Sequence, residues 1–235
     1  MNDPNSPHII GEIDGIWAIY KPAGLTVHPT AEKLPHLIKW LDKADVSPGV
    51  RPIHRLDRGT SGVILCSASA SVREQVSGWF QNDRVHKTYR ALVVGRTRKK
   101  GVVRRKLQMP GKKPAVDAVT RWRRLEWLGP ATLVEARPET GRKHQIRRHL
   151  SGVGFPIVGD TRYGPKRFKP IPGYPGRMWL HALRIELPGD VTFEAELPVD
   201  LVEHLAVLRA VEAKRTQAGK TDAPPTGETA PTDQD

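Results

Sequence analysis

Short runs of hydrophobic residues separated by polar turns dominate the chain. The stretches GIWAIY (15–20), GVILCS (62–67), TYRALVV (88–94), AVTRWRRLEWL (118–128), TLVEAR (132–137) and TFEAEL (192–197) have the length and alternation of β-strands. Helical spacing governs 34–44, 69–81, 141–152 and 198–214. In the last segment Leu201, Leu205 and Leu208 recur at i, i+4 and i+7, with Val202 beside them, which predicts one apolar stripe. Strands and helices are not regularly interleaved. A doubly wound parallel sheet requires that interleaving, so the pattern predicts an α+β domain. No repeat or linker-like break interrupts 8–214, which therefore reads as one domain.

Both ends fall outside the pattern. Residues 1–7 are polar and Pro-bearing, and read as a loose end. The segment 215–235 is expected to be a disordered acidic tail. Its last twenty residues hold no Val, Ile, Leu, Met or aromatic side chain, so they bury too little to offset ordering entropy. The N-terminus lacks the basic and apolar regions of a signal peptide, and no run reaches the roughly 20 apolar residues of a membrane helix. A soluble, cytoplasmic protein is expected, with no membrane association.

Charge sharpens this picture. The 235 residues carry 38 Lys+Arg against 25 Asp+Glu, a formal +13, and the acidic tail makes the remainder more basic still. Such a surplus points to a polyanion, with nucleic acid as the default partner. It is also clustered. Between Arg84 and Arg124 there are 15 Lys/Arg and one acid, Asp117; between Arg142 and Lys169 there are eight and one acid, Asp160. These clusters could line the two walls of one phosphate-binding groove, or form solvated faces. The lone Cys66 excludes an internal disulfide framework and a cysteine zinc cluster.

Three motifs carry candidate chemistry. In HRLDRGTSG (54–62) Asp57 stands between Arg55 and Arg58, before a buried strand. It could be a nucleophile, a general base or one half of a loop-fixing ion pair. A neighbouring guanidinium favours the ionised carboxylate in each case. In TGRKHQIRRHL (140–150) Ile146 and Leu150 form an apolar stripe, with His144, Arg147 and Arg148 on a neighbouring helical face. In VHKTYRALVVG (85–95) Tyr89 opens a strand, where its ring can pack in the core or stack on a base. Several classes lack their signatures: there is no Walker A sequence, no kinase glycine loop with DFG, and no GxSxG elbow. A hydrolase using Ser61 or His54 lacks an ordered triad. His144 and His149, five apart, do not share a helix face for metal binding.

KPAGLTVHP (21–29), HRLDRGTSGVIL, KTYRALVVG, AVTRW (118–122), TGRKHQIRRHL, PIVGDTRYG (156–164) and LHA (180–182) occur in the order found in RluA-type RNA pseudouridine synthases. The resemblance covers about residues 12–200. It implies the pseudouridine synthase fold, a bent, mixed, largely antiparallel sheet with flanking helices and a basic catalytic cleft. It implies isomerisation of uridine in RNA, by base flipping, with no cofactor, metal or energy source. By the same resemblance Asp57 is the catalytic aspartate, acting either on the ribose or through addition to the base. Tyr89 packs on the uracil, Arg147 pairs with Asp57, and Arg55 fills the space left by the flipped base. His54, Arg58, Lys87, Arg142, Lys143, His144 and Arg148 are assigned to RNA binding. The Lys143 and Arg148 variant resembles members acting on transfer RNA, so a tRNA or rRNA stem-loop is the expected partner of a monomer. The small N-terminal RNA-binding module of many relatives has no counterpart before Lys21, so target choice is expected to rest on the catalytic domain. The competing reading is a non-catalytic RNA-binding protein of this fold, which would not require the intact Asp57 motif seen here.

Overall fold

The computed structural model describes residues 6–109, 111, 114–165 and 170–219. Within them the chain runs β1 (His8–Ile13), β2 (Ile16–Lys21), α1 (Leu37–Leu41), β3 (Arg51–Pro52), β4 (Ser61–Ser67), α2 (Ala70–Gln81) and β5 (His86–Val94). It continues β6 (Lys100–Arg104), β7 (Val119–Leu128), β8 (Ala131–Pro138), α3 (Gln145–Gly152), β9 (Leu180–Leu187), β10 (Val191–Glu194) and α4 (Val199–Gln217). The strands make one sheet in the order β1-β2-β4-β9-β5-β8-β7-β6, with β10 on β9 and β3 on β4. Only β4 and β9 pair in parallel; the other named strands pair antiparallel. The sheet is thus mixed and largely antiparallel, as expected of an α+β fold. No helix among the described residues is long and apolar enough to cross a membrane.

Strand alternation decides what each face packs. On β2 and β4, Ala18, Tyr20, Val63 and Leu65 join Val76 of α2 in one buried cluster. The alternate residues Ile19, Ile64 and Cys66 join Leu37 and Leu41 of α1 in another. The two helices therefore cover opposite faces of this half of the sheet. In the other half, α3 supplies Ile146 and Leu150, and α4 supplies Leu201, Leu205 and Leu208, to a cluster built on β5, β7, β8 and β9. The predicted leucine stripe of α4 is wholly buried.

The parallel seam between β4 and β9 sets up the motif at 54–62. Gly62 lies opposite Ala182, with φ of 121°. A Cβ there would sit 2.1 Å from the carbonyl oxygen of Ala182, so only glycine admits this approach. Ser61 and His181, facing each other across the seam, hydrogen-bond through Oγ and Nδ1 at 2.9 Å, and His181 Nε2 lies 2.8 Å from the Ala195 carbonyl oxygen.

Some boundaries differ from the sequence pattern. The helix expected over 141–152 begins only at Gln145, because the Gln145 side chain accepts from the Arg142 amide at 3.0 Å and His144 adopts a left-handed φ of 55°. The helix expected over 34–44 is confined to α1, where the His36 ring accepts from the Lys39 amide. The final helix runs on to Gln217, past the expected start of the tail at 215. Residues 220–235 and 1–5 lie outside the described residues.

Candidate active-site cleft

Asp57 ends the loop that leads into β4, in a turn closed by the Thr60 amide donating to the Asp57 carbonyl at 3.0 Å. A second loop, after β2, clamps it. The Gly24 amide donates to the Arg58 carbonyl at 2.8 Å, and Arg58 Nε donates back to the Gly24 carbonyl at 3.2 Å. Beneath them Lys21 is fully buried, its Nζ donating to the carbonyls of Pro22 (2.8 Å), Leu25 (2.8 Å) and Arg58 (3.4 Å). Burial pushes the Lys21 ammonium down to about 7, opposed by the charge of Asp57. The KPAGLTVHP motif gives no sign of what Lys21 does, since a lysine converging on three carbonyls leaves no linear signature.

The Asp57 carboxylate is 21% exposed and opens into a cavity of about 450 Å³. Arg147 of α3 donates from Nη1 to Asp57 Oδ2 at 3.1 Å. Its other edge is held by Asp160, with Nε at 2.8 Å and Nη2 at 2.9 Å. Asp160 is itself fixed by the amides of Arg162 and Tyr163, each 3.0 Å from Oδ1. Burial alone would raise the Asp160 pKa, but the bonds from Arg147 and the Tyr163 amide outweigh it, and the carboxyl stays below its ordinary value. Burial lowers the Arg147 pKa, and its two carboxylates more than reverse that. One guanidinium is thus locked between two carboxylates, one buried and one open to the cavity. In the sequence Asp160 stands as the lone acid of a basic run and inside the PIVGDTRYG motif, with no role attached to it.

Tyr89, on β5, lines the same cavity. Burial, reinforced by the Asp57 charge, raises its pKa well above the ordinary phenol value, so it is a neutral phenol. His144 places Nε2 3.5 Å from Asp57 Oδ1, while its Nδ1 lies 2.9 Å from the Tyr163 hydroxyl. Burial lowers its pKa, against the pull of Asp57.

The residues assigned to RNA binding divide. Arg55, His54, Lys87, Arg142 and His144 line the cavity with Asp57, Tyr89 and Arg147; Arg58, Lys143 and Arg148 do not. His54 is a scaffold as well as a wall. Its Nε2 accepts from the Leu65 amide at 3.0 Å, its ring packs 4.8 Å from Phe80, and burial drives its pKa down to about 3. Lys87 Nζ reaches the Thr140 carbonyl at 3.4 Å, and burial lowers its pKa. Arg58 is tied to Gly24 and Arg148 to the Gln108 carbonyl at 3.0 Å. Ser61 is fully buried against β9, and its His181 leans on a backbone carbonyl rather than an acid, so this Ser–His pair is a structural tie.

The two basic clusters share one groove only in part: Lys87 of the first and Arg142 and Arg147 of the second line the cavity. Tyr89, Ala136 and Trp122 lie opposite one another on the face covered by α3. Arg90, Glu135 and Arg123 lie opposite one another on the other face. Strand alternation places Arg90, Lys100, Arg104, Arg121 and Arg123 of the first cluster behind the sheet.

Comparison with known proteins gives the family and the fold. Residues 15–152 match the model of the RNA pseudouridylate synthase family. An uncharacterized RNA pseudouridine synthase of Chloroflexus aurantiacus is 36% identical over 204 residues, covering 77% of this chain and 63% of that protein. A tRNA pseudouridine synthase C of Vibrio parahaemolyticus is 35% identical over 193 residues, covering 68% of this chain and 75% of its own length. Among solved structures, human RNA pseudouridylate synthase domain containing 4 superposes with a TM-score of 0.71 at 28% identity, over 86% of this chain and 92% of that one.

Proposed function

The chain belongs to the RNA pseudouridylate synthase family, and from that premise we propose that it converts uridine to pseudouridine within a structured RNA. The reaction is an isomerisation: the N1–C1′ bond breaks, a C5–C1′ bond forms, a proton leaves C5 and one is gained at N1. Atoms and electrons balance without a co-reactant. The demand on the protein is to extract the base, hold it and supply a carboxylate.

The observation that carries this reading is the Asp57 carboxylate, anchored on one side by Arg147 and open on the other to a cavity lined by Tyr89. A uridine reaches such a cavity only by leaving its stack, at a cost of a few kcal/mol. Arg55, Lys87 and Arg142 around the cavity offset that cost through phosphate contacts. Asp57 works on the glycosidic bond, and Arg147 keeps its carboxylate oriented. Tyr89, a neutral phenol, packs on the uracil and passes a proton from the sugar. Arg55, exposed at the cavity edge, takes the place of the flipped base in the RNA stack.

Transfer RNA is the substrate we favour, on the Lys143 and Arg148 variant and on the name of the Vibrio relative. Asp57→Asn keeps the volume and removes the charge. It is expected to abolish pseudouridine formation while RNA affinity stays within about twofold, since phosphate contacts supply most of the affinity. Turnover by that variant would sink the assignment. Pseudouridine mapping of total RNA from cells with and without the gene names the uridine; a site lost from rRNA alone would overturn the tRNA preference.

A further inference from the structure

The back of the sheet carries a feature that the cleft does not use. Glu135 is 4% exposed in the middle of β8, yet three arginines converge on it. Arg90 of β5 donates from Nη1 at 2.5 Å, Arg123 of β7 from Nε at 2.8 Å and Nη2 at 3.2 Å, and Arg137 of β8 lies 3.1 Å away through Nε. Burial alone would raise the Glu135 pKa, but the bonds from Arg123 and Arg90 outweigh it and hold the carboxyl at about 2. The carboxylate is a fixed anion that orders three cations and neutralises one.

Register places further cations on this face. Arg123 lies opposite Lys100 of β6, Arg137 opposite Arg121, and Val119 opposite Arg104. Arg121 pairs with Glu139. Six cations of β5, β8, β7 and β6 thus share this face with Glu135, Glu139 and, at its far end, Glu126. The face is accessible: Arg121, Arg123 and Arg137 are 53%, 58% and 59% exposed. Helix α4 reaches the far end, where Arg209 pairs with Glu126, itself opposite Leu133.

We propose that this arginine face binds the phosphate backbone of the RNA substrate outside the segment held in the cleft. The proposal rests on the reading that the substrate is RNA. Charge complementarity carries it. A guanidinium offers five N–H donors in a planar fork suited to phosphate, and Glu135 occupies no more than two on any one arginine. Pre-ordering by Glu135 removes much of the side-chain entropy that exposed arginines lose on binding. The path is short: Pro138, Thr140 and Arg142 line the cleft, and Arg137 immediately precedes them, so a strand leaving the cleft over this turn meets the arginine rows.

Binding of the full chain to a folded transfer RNA and to an isolated hairpin excised from it tests the proposal across a salt series. Two variants are used. R121Q/R123Q/R137Q removes three exposed cations, two of them partners of Glu135. K100Q/R104Q/R121Q leaves all three partners of Glu135 in place, so it reads the face without disturbing that carboxylate. Each is expected to weaken whole-RNA binding about 10-fold and to lower the salt slope by about 2 to 3. Hairpin affinity and turnover at saturating hairpin should stay at wild-type values. Wild-type affinity of the second variant for whole RNA overturns the proposal alone, as does equal weakening for hairpin and whole RNA. A wild-type protein that binds neither RNA overturns both this proposal and the function above.

Discussion

At the scale of single residues, Arg147 is the pivot, because it divides its donors between a buried carboxylate and an accessible one. Asp160→Asn removes the charge that fixes the rear of the guanidinium. It is expected to lower stability by about 3 kcal/mol, the scale of breaking one side of a buried pair, and to lower kcat with little change in KM. Urea denaturation alongside initial rates checks both; loss of KM with unchanged kcat would make Asp160 a binding residue instead. Tyr89→Phe keeps the ring and deletes the hydroxyl. A proton-moving role predicts a kcat about 100-fold lower with RNA affinity nearly unchanged, and equal losses in both would refute it. Asp57, Tyr89 and Arg147 meet in one cleft, a grouping the family resemblance implies, whereas residue chemistry alone leaves Asp57 open between base, nucleophile and ion pair and Tyr89 between core and stacking. The parts of Asp160 and Lys21 are not legible in the sequence, since what matters is which distant partner they face. Asp160 is 13 residues from Arg147, and Lys21 is 37 from Arg58.

At the scale of elements, the seam of β4 against β9 aims the loop that carries Asp57. Gly62→Ala forces a Cβ into the Ala182 carbonyl, at a backbone angle that side chains avoid. It should lower stability by about 3 kcal/mol or more, read by thermal or urea unfolding, and near-wild-type stability would show that the seam can part without cost. The same seam makes stability depend on pH. Burial holds His181 down to about 4, against about 6.5 in the unfolded chain. The folded value is the lower one, so the unfolded chain binds the extra proton. Stability is full above about pH 6.5 and declines as pH falls towards 4, by up to about 1.4 kcal/mol per unit. His54, held down to about 3, acts in the same direction. Urea midpoints taken between about pH 7 and 4.5 should shift downwards with acid, and His181→Asn should flatten that trend. The six strands and four helices read from periodicity all exist, with shifted ends. Strand β9 escaped because its central position buries His181 where an apolar residue is the rule, and its alternate face carries Arg184 and Glu186. The edge strand β6, KGVVR, is short and charged, which suits an edge and hides it from a hydrophobic pattern. The parallel seam itself has no linear signal beyond the glycine it requires.

At the scale of the whole molecule, the excess of positive charge is divided by the sheet rather than gathered in one groove. Lys87, Arg55 and Arg142 surround the cleft, while Arg90, Arg121, Arg123 and Arg137 sit behind it. Composition points to a polyanionic partner, but only strand register reveals that cations close in sequence point to opposite faces. An RNA held on both sides of the β8 turn would touch more phosphates than one confined to the cleft, and the number of contacts is measurable. Each neutralised phosphate releases counterions, so log K falls linearly with log salt in proportion to the contacts made. With at least six contacts, affinity for a folded RNA is expected to fall about 1,000-fold between roughly 50 and 200 mM salt. A hairpin that reaches only the cleft should show a shallower line, because the cations behind the sheet release nothing when it binds. Parallel lines for the two RNAs would confine recognition to the cleft, and a flat response to salt for both would remove phosphate contacts as the source of affinity altogether.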